Sequence, residues 1–202
     1  MPPKGAPQDL TTTISPLAAP SSGAVFYSPF NCFYGSNTPY TAIHSCAAGY
    51  ATTSTQYIVD NVLNREFHAT VPNEKWLTDV TEFKWYEGVE VRKVYLSAIL
   101  DLYDRRIVSF AIGDRNDNPL VFKTFDMAVK ATPDAHPLFH SDRGCQYTSR
   151  TFHHKLEKAG MAQSMSRVAK CIDNGPMEEF WGILKRERYY GKRFTSKQKL
   201  IH

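Results

Sequence analysis

The sequence predicts an α/β domain built on a five-stranded mixed sheet flanked by helices, behind a largely unstructured leader. Three observations lead there. Between residues 76 and 112, three strand-like runs follow one another, joined by short polar turns. From residue 117 onward, short apolar runs alternate with helical patterns. The first 60 residues, in contrast, hold seven prolines, almost no charge and no lasting period of 3.6 or 2.0. A chain of 202 residues accommodates one ordinary domain plus extra material.

Residues 1–60, rich in Ser, Thr, Pro, Ala and Tyr, read as a disordered leader. At Asn64 a polar lead-in begins, with a turn at Pro72 and Asn73. Trp76 to Phe83 alternates as a strand, placing Thr78, Val80 and Glu82 on one face and Leu77, Asp79 and Thr81 on the other. Val91–Leu102 and Ile107–Ile112 extend this into an antiparallel meander, turning at Asp104-Arg105-Arg106. Asp104 suits that turn because an Asp carboxylate bonds its own backbone there. Asp101 reads as a satisfied polar residue at a strand end. Asn118 then caps a helix with Pro119 at its first position, and Val121, Phe125, Ala128 and Val129 form its packing stripe. Thr132-Pro133 ends it.

Pro137 to His140 forms a short fourth strand that delivers Asp142 to the following loop, where Gly144 permits a tight turn or a close approach of backbone. Ser149 caps the next helix, with Phe152, Leu156 and Ala159 inward and Gly160 at its end. His153 and His154 on this helix suit a solvated or core role. Met161 to Met165 is a fifth strand. Asn174-Gly175-Pro176 opens the last clear helix, which carries Glu178 in its first turn and packs through Phe180, Ile183 and Leu184.

Composition narrows the function. The formal net charge of +4 is modest, but its distribution is uneven. Residues 1–64 hold one basic residue and two acids, whereas residues 164–202 hold nine Lys or Arg against four Asp or Glu. A basic end suits a polyanionic partner. Cys32, Cys46, Cys145 and Cys171 form no CxxC pair, which argues against structural zinc and for reduced thiols. Neither a membrane-spanning run nor a signal-peptide pattern is present.

Asp79, Asp142 and Glu178 stand out among the acids. An Asp inside a strand goes against propensity, and a buried carboxylate is costly unless paired or metal-bound. Asp142 ends a strand, and Glu178 opens a helix 36 positions later. Acids on three separate elements suggest a magnesium site for phosphoryl transfer.

KWLTDVTEF, LSAILDLYDRRIVSF, HSDRGCQYTS, SMSR and DNGPMEEFWGILKRE together resemble the catalytic core of OrfB-type bacterial insertion-sequence transposases, in the retroviral-integrase-like (rve) superfamily. The resemblance runs from about Leu63 to Ser196 and implies an RNase H-like fold, with a catalytic core over residues 62–202 that is C-terminally truncated. It assigns Asp79, Asp142 and Glu178 as catalytic residues and metal ligands. Glu178 is preferred to Glu179 because it leaves the family spacing of 35 intervening residues. Two Mg²⁺ ions, with Mn²⁺ as a substitute, are the implied cofactors. DNA, as element ends and target, and further copies of the chain are the implied partners; no small-molecule substrate or membrane is expected. The implied setting is the bacterial cytoplasm, at the nucleoid during action. Lys185, Arg186, Arg188, Lys192 and Arg193, interleaved with Tyr189, Tyr190 and Phe194, are the candidate DNA-binding residues; a solvated helix end is the bland alternative. The uncharged leader departs from the basic helical segment usual in the resembled group. Three readings stay open: a transposase core, an RNase H-like nuclease without strand transfer, and a degenerate fragment that binds DNA without catalysis.

Overall fold

The computed structural model describes residues 56–202. All but the last five residues of the predicted leader lie outside the described residues. Those five are tied to the domain. Tyr57 donates its backbone N–H to Thr148 (2.8 Å) and stacks on His153, while Asp60 accepts from the Met165 N–H.

The described chain runs β1 (Lys75–Glu87), β2 (Glu90–Asp101), β3 (Ile107–Gly113), α1 (Asn118–Ala131), β4 (Leu138–Ser141), α2 (Arg150–Lys158), β5 (Ala162–Met165), a 3₁₀ turn (Cys171–Asn174), α3 (Gly175–Arg188) and α4 (Lys197–Ile201). The strands form one sheet in the order β3-β2-β1-β4-β5. The first three are antiparallel, and β4 and β5 run parallel to β1. This is the expected RNase H-like mixed sheet.

Alternation along β1 splits the core in two. Trp76 points to one side with Ile99, Phe139, Phe125 of α1 and Phe152 and Leu156 of α2. Leu77 points to the other with Ala98, Leu100, Leu63 of the lead-in and Met177 and Trp181 of α3. Asp79 shares the parity of Leu77 and therefore faces α3.

Element boundaries differ from expectation by a few residues. β1 continues four residues past Phe83, because the hairpin with β2 stays paired down to Glu87 and Glu90. Gly88 makes that turn at φ 63°, a conformation costly for other residues. The cap of α1 is Asp117 rather than Asn118; its carboxylate accepts from the Leu120 N–H at 3.2 Å. Ser149 caps α2 as expected, accepting from Phe152 N–H. Asp101 is fully buried and satisfied by the N–H groups of Asn73 and Tyr103, and Asp104 accepts from Arg106 N–H within its turn.

Candidate active site

Asp79 lies on the central strand, where its register partner is the small Ala98. Its Oδ1 accepts from the Val80 N–H (2.8 Å) and its Oδ2 from the Trp181 indole N–H (3.0 Å). Burial, with the charge of Asp142 and then of Glu178, pushes the Asp79 carboxyl up to about 7, against the pull of those two hydrogen bonds. Asp142 follows β4 directly and is exposed. Its Oδ1 accepts from the Gly144 N–H at 2.9 Å. A Cβ on Gly144 would stand 3.0 Å from that same oxygen and 2.9 Å from Gln146 Oε1, so a larger residue there would push on the carboxylate or on Gln146. Glu178 sits in the first turn of α3, where lost hydration raises its carboxyl. Glu179 is exposed beside it.

Of the three acids chosen from sequence, Asp142 and Glu178 thus each act electrostatically on Asp79 from separate elements. Among the described residues, no three His, Cys, Asp or Glu side chains are gathered closely enough to enclose an ion. The acids form an open, mutually repelling group rather than a closed cage. Their donor chemistry fits a hard divalent cation: all donors are carboxylate oxygens, and Asp79 holds its proton more tightly because it is buried and because like charges face it.

Asp173 was not singled out by sequence reasoning. Its side chain is fully buried, and accepts from Arg167 through Nε (2.8 Å), Nη2 (2.7 Å) and backbone N–H, from Arg65 Nε (2.7 Å) and from Asn61 Nδ2 (3.0 Å). Arg167 above all, with Arg65, holds this carboxyl far below the usual range. The signal available was SMSR and DNG six residues apart; the other partners are more than 100 positions away. Next to this knot, burial depresses His140 to about 4, leaving it neutral between Ser164 and Ser166.

The basic residues separate. Lys185 is half-buried over the Phe83 ring (5.5 Å), where burial lowers its pKa and the charges of Asp79 and Glu82 oppose that. Arg186 and Lys192 are exposed. Arg188 donates to the His202 carbonyl, and Arg193 lies over the Tyr86 ring at 4.6 Å. Tyr189 and Phe194 stack on each other and bond the β1 backbone, so these aromatics pack. Among the described residues, no helix is long and apolar enough to cross a membrane.

Comparison with known proteins extends the picture. The model of the integrase core domain matches residues 69–171, ending ahead of Glu178. A transposase-like protein of Haemophilus influenzae is 43% identical over 144 residues, covering 71% of this chain and 65% of the relative. The putative transposase InsK of insertion sequence element IS150 from Escherichia coli is 44% identical over 137 residues, covering 67% and 47%. The chain therefore spans about half to two thirds of the length of these relatives. Among solved structures, a chain of the simian T-cell lymphotropic virus intasome in complex with PP2A regulatory subunit B56 gamma shares the fold. That likeness has a TM-score of 0.56 and 19% identity, and covers 66% of this chain and 48% of that one. With just over half of its residues under that one family model and insertion-sequence transposases among its relatives, the chain belongs to the integrase core domain family.

Proposed function

We propose that this chain is the catalytic core of a bacterial insertion-sequence transposase, cutting and joining DNA with divalent metal held by Asp79, Asp142 and Glu178. The observation that carries the reading is the burial of Asp79 against the charges of Asp142 and Glu178, which together raise its carboxyl to about 7. Asp79, Asp142 and Glu178 would hold a divalent cation, whose charge would relieve that repulsion. Mg²⁺, two ions in the full reading and replaceable by Mn²⁺, supplies charge neutralisation on phosphate oxygens and a more acidic attacking hydroxyl.

The chain's own residues set the stage for this chemistry. Val80 and Trp181 hold the two oxygens of Asp79, and Gly144 holds one of Asp142. Glu178 is exposed and completes the group from the helix. Lys185, near Asp79, offers an ammonium to a phosphate oxygen. Arg186, Arg188, Lys192 and Arg193 extend the basic surface along the departing strand. Water attacks the phosphodiester at an element end and releases a 3′-hydroxyl, which then attacks target DNA. Both steps are in-line phosphoryl transfers, so no covalent bond to the protein is required. DNA ends and target are the partners, a multimer that pairs two ends is the working form, and the bacterial cytoplasm is the setting.

Asp79→Asn, Asp142→Asn and Glu178→Gln are each expected to reduce cleavage and joining of labelled element ends to background in Mg²⁺, with circular dichroism unchanged. A Glu178→Gln protein that still joins ends, beside an inactive Glu179→Gln, would move the third role to Glu179. Ends nicked but never joined by the unaltered chain would favour a nuclease, and DNA binding without cutting a degenerate fragment.

A further inference from the structure

The helix that carries Glu178 is fastened to the strand that carries Asp79 at two points, one on each side of Glu178. Asn174, four residues before Glu178, donates its side-chain amide to the Thr78 carbonyl at 3.3 Å. Trp181, three residues after Glu178, donates its indole N–H to Asp79 Oδ2 at 3.0 Å. Asn174 and Trp181 are both buried, so neither bond competes freely with water. An indole N–H is a donor only and cannot reverse its role. The carboxylate receiving it has its other oxygen tied to Val80 N–H, so both oxygens are oriented. Trp181 is also one α-helical step from Glu178 on the same face. One helix therefore brings an acid and the group that aims a second acid.

Resting on the metal-site reading above, we infer that Trp181 is a positioning residue, whose indole N–H fixes the Asp79 carboxylate, and through it the α3–β1 register, for binding a divalent cation. Partners that hold metal ligands in place typically affect affinity by about 10–100-fold when removed. Trp181→Phe keeps an aromatic ring of similar placement, deletes the donor and trims the second ring of the indole, which is why a packing control is needed. Phe180→Leu is the control: Phe180 packs against Trp181 on the same helix and gives no hydrogen bond to an acid.

The experiment is Mn²⁺ titration by calorimetry on the full chain without DNA, alongside thermal melts. Trp181→Phe is expected to bind Mn²⁺ about 10–100-fold more weakly, while Phe180→Leu loses at least as much melting temperature and keeps wild-type affinity. Unchanged affinity in Trp181→Phe, with affinity lost in Asp79→Asn, overturns the role of Trp181 and leaves the acidic site standing. Unchanged affinity in Asp79→Asn overturns both. If Trp181→Phe does not fold, the unaltered chain still decides. One indole N–H resonance should exchange slowly with solvent, move on Mg²⁺ addition, and lose its protection in Asp79→Ala, which removes the acceptor. Three indole signals indifferent to the Asp79 substitution would overturn the inference.

Discussion

The two faces of the sheet are stabilised in different ways. Under α1 and α2, Phe125, Phe139, Tyr147 and Phe152 meet at centroid distances of 5.4–5.6 Å, mostly edge to face. Polar side chains there are consumed locally, as when Ser109 and Thr124 bond backbone carbonyls. Under α3, Leu77, Met177 and Trp181 pack beside Asp79, and the turn leading into that helix contains the buried carboxylate of Asp173. The first face is filled with rings, and the second sets a mainly aliphatic cluster beside carboxylates. Tyr147 links the two sides: it packs in the ring cluster, and the pKa of its hydroxyl is raised by burial first and then by the charges of Asp142 and Asp79.

Breaking the aromatic side should cost most. Phe152→Ala is expected to lose about 3–5 kcal/mol of folding free energy in urea, because Phe152 is fully buried among four other rings, Phe122 included. Mn²⁺ affinity of the remaining folded protein should be unchanged, and a parallel loss of affinity would show that the faces are coupled.

The acidic side should reveal itself through pH. Asp79 moves from an ordinary 3.8 to about 7 on folding, so the folded state binds its proton more tightly. That favours folding at low pH and is lost as pH rises from about 4 to 7, by up to about 4 kcal/mol. In chelator, the unaltered chain should lose stability across this window and Asp79→Asn should not. Millimolar Mg²⁺ should restore the unaltered chain at pH 8. Equal pH slopes for the two proteins would contradict the repulsion argument.

Asp173 has the opposite sign. Its folded pKa is depressed, so its contribution is fully present above its ordinary value and is lost only as acid approaches the folded one. Asp173→Asn keeps the shape, weakens the bonds to Arg167 and Arg65, and should cost about 2–3 kcal/mol at pH 7. Urea melts at pH 7 that coincide with the unaltered chain would show that the partly exposed arginines gain as much from water.

What the sequence discloses depends on how local the cause is. Ser149 was legible as a cap because its hydrogen-bond partner lies three residues on. Asp117 was missed by one position because two adjacent residues are both able to cap, and only backbone geometry separates them. The end of β1 was misjudged because Lys84, Trp85, Tyr86 and Glu87 break alternation, and their strand state comes from pairing with β2. The choice of the three acids rests on motif resemblance, which carries spacing learned elsewhere. The bond from Trp181 to Asp79 spans 102 positions, and the Asn61–Asp173 bond spans 112. No local periodicity encodes either.

β1 pairs with β2 over its full length but with β4 only at Lys75, Trp76 and Leu77. One residue later the two parallel strands part, and the Thr78 carbonyl takes its hydrogen bond from Asn174 instead. Asp79 therefore lies two residues beyond the last β1–β4 pair, beside the carboxyl end of β4, where α/β sheets commonly receive ligands. In the adjoining segments 143–149 and 166–173, Tyr147 is buried in the core and Arg167 is bonded to the buried Asp173, so variation that spares the fold is confined to exposed positions such as Val168 and Lys170.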